Sequence, residues 1–261
     1  MSLDQLRAFV KPNDVSCDKF LGDSLKILQP KKGFRAGIDS VLLGASVGAS
    51  RKNLIDLGSG VGVAGLCALN YRKNLKSLFL EKNPEMLVLA KENILINSFE
   101  KRADIIELDL TLSGNEREAA GLKINHFDCV IANPPFFDAN GGTLAKGEAR
   151  STARHMAKED LGKWVRTAAS CAAPKGEVIF IFPIIGLLDL LNQLEGRFGD
   201  LTILPITSRI GQNASRFLVR GIKGSKAPLN MRSPLILHGE KGNEYLPEIE
   251  AIFRGEKPLL W

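Results

Sequence analysis

The chain has 261 residues, 44% hydrophobic, 25% charged and 7% aromatic, which excludes collagen-like, disordered and disulfide-scaffold proteins. Subtracting 29 acidic from 35 basic residues leaves a formal net charge of +6, a mild bias toward a polyanionic partner. Four cysteines, Cys17, Cys67, Cys129 and Cys171, are far apart and offer no closely spaced metal-ligand pair, so no metal is expected. Cys67, Cys129 and Cys171 lie in apolar runs and read as buried small hydrophobes in a reducing, cytoplasmic setting. The polar start MSLDQLRAF carries no signal core, and no apolar stretch reaches the ~18 residues of a membrane helix, so no membrane association is expected.

In chain order, Val15–Pro30 has two half-apolar segments around Gly22-Asp23 and predicts a β-hairpin. Ile38–Val47 predicts a short apolar helix. Near-continuous apolar runs follow at Asn53–Leu57, Ser77–Glu81, Asp104–Leu108, Asp128–Asn133 and Glu177–Phe182, as in parallel strands buried on both faces. Helical patterns over 61–72, 84–97, 111–120 and 158–173 alternate with them, and Asn83-Pro84 marks one helix start. Pro183 and Gly186 interrupt the apolar run Val178–Leu188. Leu201–Ile206 and Arg216–Ile222 have no long helix between them and predict an antiparallel hairpin at one sheet edge. The expected fold is therefore α/β, a doubly wound, mostly parallel seven-stranded sheet with an antiparallel edge hairpin. No linker or repeat divides it: the expectation is a single domain over 1–261, with a hairpin-and-helix extension over 1–50 and the sheet core over 51–261.

The first core strand runs into Asp56-Leu57-Gly58-Ser59-Gly60-Val61-Gly62, which opens a helix. Glycines let the backbone turn tightly and approach a ligand, and the helix N-terminus adds free N–H groups and partial positive charge. Two readings compete. Gly60-Val61-Gly62-Val63-Ala64-Gly65 matches the dinucleotide pattern G-x-G-x-x-G, and Glu81, closing the second core strand, suits a ribose-binding acid. Against a nicotinamide cofactor stands Asp56: a carboxylate two positions before the first glycine repels a pyrophosphate but suits a cationic ligand.

The fourth core strand ends in Asn133-Pro134-Pro135-Phe136, where ligands of open α/β sheets bind. Each proline biases the residue before it away from helical dihedrals, so the chain leaves the strand along one stiff path. The Asn133 side-chain carbonyl and the Pro134 backbone carbonyl can converge on an –NH₂ group, and Phe136 offers a flat face for a ring. Such a clamp can draw an amine lone pair toward an electrophile and stabilise developing charge. The plainer alternative is a rigid strand exit with a buried Phe; the ordered combination of glycine loop, acid and Asn-Pro-Pro-Phe favours the chemical reading.

The D-x-G-x-G-x-G pattern with N-P-P-F resembles the class I S-adenosylmethionine-dependent N-methyltransferases. The resemblance implies a Rossmann-like fold, with Gly58 and Gly60 making room for the methionine part, Glu81 on the ribose hydroxyls and Asp109 on the adenine amino group. For Asp109 a helix cap before Thr111 is the alternative. The run from Leu28-Gln29-Pro30 through Gly33-Phe34-Arg35 and Asp39-Ser40 to Leu43 resembles the segment preceding that loop in bacterial adenine-N6 methyltransferases acting on valine tRNA beside the anticodon. The likeness continues through Arg220-Gly221-Ile222-Lys223-Gly224-Ser225. It implies that Phe34, Arg35 and Asp39 line the cofactor or base pocket, against the alternative of a turn and a helix start. Phe136 stands where many adenine enzymes carry Tyr, which leaves guanine-N2 methylation of rRNA as an alternative. Glutamine-N5 methylation of a release factor is another, though those enzymes carry a longer helical region before the loop than the 55 residues preceding Asp56.

Charge placement points independently to RNA. Between Leu201 and Gly239 lie Arg209, Arg216, Arg220, Lys223, Lys226 and Arg232 and no acid. Lys146, Arg150, Arg154, His155 and Lys158 follow N-P-P-F, and a loop at Gly141-Gly142-Thr143 could close over a flipped base. The expected substrate is thus RNA, foremost tRNA, with Lys146, Arg150, Arg154, Arg209, Arg216, Arg220 and Lys223 on its phosphates. A solvated basic face on a non-catalytic RNA-binding module is the contrasting reading.

Overall fold

A computed structural model describes residues 14–32, 35–135 and 148–261, with 148–159 as backbone alone. Strands β1 (Val15–Phe20) and β2 (Leu25–Pro30) form the expected antiparallel hairpin, with Leu21, Gly22 and Asp23 all at positive φ in its turn. Helix α1 (Ile38–Ala45) leads to β3 (Asn53–Leu57), α2 (Val63–Tyr71), β4 (Lys76–Glu81), α3 (Pro84–Ile96), β5 (Ala103–Glu107), α4 (Gly114–Ala119) and β6 (Phe127–Ala132). The long α5 (Glu148–Cys171) precedes β7 (Ala172–Pro183), α6 (Leu187–Leu194), β8 (Phe198–Thr207) and β9 (Arg216–Lys223). Two-residue strands β10 (Asn230–Met231) and β11 (Leu235–Ile236), then α7 (Pro247–Phe253), complete the described chain.

The sheet order is β10-β8-β9-β7-β6-β3-β4-β5, with β11 also on β8. Pairing is parallel from β7 to β5, and β9 runs antiparallel between β7 and β8. The seven expected strands are all present; β10 and β11 extend the sheet beyond them, too short to carry a readable period. Helix α6, between β7 and β8, was not expected, although Leu187, Leu190, Leu191 and Leu194 recur at helical spacing and pack on the core; its first turn merges in sequence with the apolar run of β7, which ends at Pro183.

Alternate residues of each strand feed two cores, which explains the near-continuous apolar runs. Leu54, Phe79, Cys129, Ile131, Ile179 and Ile181 pack with α1, α2 and the hairpin; Ile55, Leu57, Leu80, Val130, Ala132 and Phe180 pack with α5 and α6. Cys67, Cys129 and Cys171 are buried, Cys17 is exposed, and all four are free thiols. The hairpin is fastened to α3 by carboxamides. Asn93 accepts from Leu28 N (2.7 Å) and donates to Leu28 O (3.0 Å) and Val61 O (2.9 Å). One helix turn on, Asn97 pairs with both backbone groups of Lys26.

The strand order reverses between β3 and β6, which places the ligand crevice of a doubly wound sheet at their carboxyl ends.

Candidate active site

The site begins with register. Leu57 pairs with Ala132 of β6 and with Leu80 of β4, and Glu81 pairs with Glu107 of β5. The next residues, Gly58 and Asn133, therefore leave neighbouring strands side by side, about 4.8 Å apart in the pairing direction. Gly58, Glu81, Asp109 and Asn133 thus share one sheet edge, across the switch point.

The glycine loop turns through left-handed backbone at Gly58 (φ 61°), Gly60 (φ 56°) and Gly62 (φ 89°). Gly58 is required twice over: a Cβ there would lie 2.2 Å from Cη2 of Trp164, a buried residue of α5. At Gly60 a Cβ would meet nothing within 4 Å, so the outer face of the loop is open space, as a ligand cradle requires. Trp164 was not among the residues singled out from sequence; its aromatic size on a helix was the sole signal, and nothing there pairs it with Gly58. One turn on, Thr167 donates to Leu110 O (2.8 Å), so α5 also braces the turn that carries Asp109.

Each acid has a distinct environment. Asp56 is buried beneath α2 and its Oδ2 accepts Gly65 N–H (2.9 Å) in the first turn of that helix. Burial pushes its carboxyl up to about 7, against the Gly65 hydrogen bond, and the nearby Glu81 charge adds to the rise. This arrangement disfavours a pyrophosphate at the helix N-terminus, because a carboxylate already takes a donor there. Glu81 Oε1 accepts from Lys82 N and Asn83 N (2.9 Å each), and Oε2 from Gly60 N (2.8 Å). Oε2 keeps a lone pair for a sugar hydroxyl, and its bond to Gly60 ties the acid to the loop. Asp109 does not cap α4, which starts later at a Ser113–Glu116 capping box. Its Oδ1 instead accepts Thr111 N (2.8 Å) and Oγ1 (2.7 Å), and Oδ2 lies 3.3 Å from Lys82 Nζ. Partial burial opposes ionisation, yet the Thr111 hydrogen bonds and the Lys82 charge hold this carboxyl below the usual range.

Open space over Gly60 and a backbone-fixed carboxylate at the end of β4 fit a ligand with sugar hydroxyls; Asp56, expected to favour a cationic group, is instead buried against Gly65 and holds its proton up to about 7, so it braces the loop. S-adenosylmethionine is such a ligand. Among the described residues no group of His, Cys, Asp and Glu is arranged to hold a metal ion, and no helix is long and apolar enough to cross a membrane.

The methyltransferase small domain family matches residues 38–180, more than half of the chain. The chain belongs to this family. It is similar to the tRNA1(Val) (adenine(37)-N6)-methyltransferases of Haemophilus influenzae (strain PittGG), 28% identical with 87% of this chain and 93% of the relative covered, and of Aliivibrio salmonicida, 28% identical with 80% and 86% covered. Among solved structures it resembles a predicted O-methyltransferase of Agrobacterium tumefaciens at TM-score 0.72 and 29% identity, covering 85% of this chain and 98% of that one. A second, the TYW2 of M. jannaschii in complex with AdoMet, shares the fold at TM-score 0.53 and 15% identity, with 80% and 85% covered.

In this methyltransferase several expected site residues serve other contacts. Arg35 donates to Ser16 Oγ (2.9 Å), Pro30 O (2.8 Å) and Asp18 Oδ2 (2.5 Å), fastening the hairpin. Asp39 sits in the first turn of α1 and forms an ion pair with Arg216. Among the described residues, the basic side chains expected on RNA do not converge either, because β9 runs from the site edge to the opposite one. Arg216 lies at the site edge, paired with Pro183, whereas Lys223 lies at the opposite edge, about 23 Å along the strand. There Lys223 Nζ donates to Asn125 Oδ1 (2.6 Å), Ala169 O (2.6 Å) and Ala172 O (2.7 Å), closing the end of α5. Arg220, mid-strand, stacks on Trp261 at 5.0 Å. Arg209 is at the site edge, in the β8–β9 loop, and donates to the carbonyls of Gly239 and Gly242. Phe34, Phe136, the Gly141–Thr143 loop and Lys146 lie outside the described residues, as do the side chains of Arg150, Arg154, His155 and Lys158.

Proposed function

We propose that this chain transfers the methyl group of S-adenosylmethionine to the N6 nitrogen of an adenine in tRNA, acting in the cytoplasm as a single domain. The observation that carries the reading is the register that sets Asn133-Pro134-Pro135 beside Gly58 across the switch point. The similarity to adenine-N6 methyltransferases over most of both chains supports the choice of base and of tRNA over guanine-N2 and glutamine-N5 chemistry.

In this reading Gly58, Gly60, Glu81 and Asp109, with Asp56 bracing the loop, hold the cofactor, which supplies an electrophilic methyl group when bound. The Asn133 side-chain carbonyl and the Pro134 carbonyl accept the two N–H bonds of the adenine amine, while Phe136 stacks on the ring. Both acceptors face positive charge that develops on nitrogen as the new bond forms, and that stabilisation appears only in the transition state. The nitrogen then loses its proton to solvent. In the same reading Arg209 and Arg216, at this edge, meet RNA phosphates, Arg216 through the guanidinium nitrogens that Asp39 leaves open.

Asn133→Ala tests the clamp. Removing one donor-facing oxygen lowers kcat on tRNA by about 100- to 1,000-fold, the scale of losing one preorganised hydrogen-bonding group. Affinity for S-adenosylhomocysteine, measured by calorimetry, stays within about twofold. Full retention of kcat contradicts the clamp.

A further inference from the structure

Beside the clamp the molecule exposes apolar side chains that its own packing does not use. Counted on from the Ala132↔Phe180 pairing, Pro183 at the end of β7 comes level with Pro135. The chain then turns through Ile184–Gly186 into α6. Ile185 is 68% and Leu188 70% exposed, and their three-residue spacing across this turn sets them on one side. Ile210, in the neighbouring β8–β9 loop, is 69% exposed. The turn itself is held firmly. Ile184 N donates to Ser215 O (3.0 Å), joining it to the start of β9, and the Phe182 ring packs against Gly186 so closely that a Cβ there would lie 2.3 Å from it. A rigid apolar projection at the mouth of a catalytic crevice marks a contact surface.

Resting on the tRNA reading above, we propose that Ile185 and Leu188 form a wedge that enters the RNA stack where the target adenine has been removed. A base in a stacked loop cannot present its amine to Asn133 until it leaves the stack, and its departure opens an apolar gap between neighbouring bases. Aliphatic side chains fill such gaps and hold the distorted strand. Charge favours RNA as the occupant: Arg209, tied to backbone carbonyls, stands next to Ile210, and Arg216 lies at the same edge.

The test uses a valine-tRNA anticodon stem-loop in two forms, unsubstituted and with 2-aminopurine at the target adenine, with the double variant Ile185→Ala/Leu188→Ala. Ile96→Ala, an exposed isoleucine (42%) at the far end of α3, is the control. With S-adenosylhomocysteine present, the wild-type protein and the control raise 2-aminopurine fluorescence on binding; the double variant loses most of that rise. Its kcat/KM on the unsubstituted stem-loop falls about 10- to 100-fold, as expected for lost contacts with one or two bases, and its S-adenosylhomocysteine affinity is unchanged. Wild-type fluorescence and kcat/KM in the double variant overturn the wedge while leaving the function intact. No methyl transfer by the wild-type protein overturns both. A wild-type dimer that the double variant dissociates, seen by sedimentation velocity, assigns the surface to a second copy and also overturns the wedge.

Discussion

Gly58 and Gly60 have the same backbone conformation and different surroundings, so alanine at each separates folding from cofactor binding. Both substitutions force a left-handed alanine, at about 1–2 kcal/mol. At Gly58 the new methyl also lands 2.2 Å from Trp164 Cη2, inside a buried ring that cannot retreat without disturbing α5. Overpacking of this kind adds about 1–3 kcal/mol, giving a loss of about 2–5 kcal/mol for Gly58→Ala. Gly60→Ala meets no atom within 4 Å and loses about 1–2 kcal/mol, the backbone cost alone. Its methyl stands in the open space over the loop, where it displaces S-adenosylhomocysteine. Urea unfolding gives the stabilities and calorimetry the affinities. The expected pattern is a severely destabilised Gly58→Ala, with a near-native Gly60→Ala that binds cofactor at least tenfold more weakly. Adding Trp164→Leu to Gly58→Ala makes the double variant more stable than the summed single effects by about 1 kcal/mol or more, since the two sites touch. Equal stability losses at the two glycines, or strict additivity with Trp164→Leu, refute the packing account.

Asp56 makes stability depend on pH. Its carboxyl holds a proton up to about 7 in the folded chain and only to about 3.8 when unfolded. The folded state therefore binds more protons between these values, and stability falls as pH rises through them. The loss is about 4 kcal/mol, at about 1.4 kcal/mol per pH unit. Asp56→Asn removes this fall, which unfolding curves at pH 4.5 and 7.5 measure as a smaller difference than in the wild type. Lys223→Ala leaves two carbonyls at the end of α5 and Asn125 without their shared donor. It destabilises the protein by about 1–3 kcal/mol while leaving the salt dependence of tRNA binding unchanged, because Lys223 faces away from the site edge.

Much of the sheet is readable in the chain because parallel strands buried on both faces leave long apolar runs that few other structures produce. The glycine loop, Glu81 and Asn-Pro-Pro are readable for a related reason: they sit where strands end, and strand ends are marked by abrupt changes of composition. What sequence order hides is direction and distance. The basic residues of β9 look like one patch when counted along the chain, but the antiparallel strand carries Arg216 to the site edge and Lys223 to the other. Arg35 and Asp39 sit in a segment that resembles a pocket wall, yet their charges meet Asp18 and Arg216. Trp164 and Gly58 meet only because α5 packs across the face of β3 and β6, and no local pattern encodes that packing. Asp109 looks like a helix cap from its position, but Ser113 takes that role three residues before Glu116.

Transfer of labelled methyl groups from S-adenosylmethionine to total unmodified tRNA and to ribosomal RNA, followed by nucleoside analysis, decides which base and which RNA this enzyme methylates. The expected product is N6-methyladenosine in tRNA alone, lost with Asn133→Ala. N2-methylguanosine in ribosomal RNA, or label in neither RNA, contradicts that expectation.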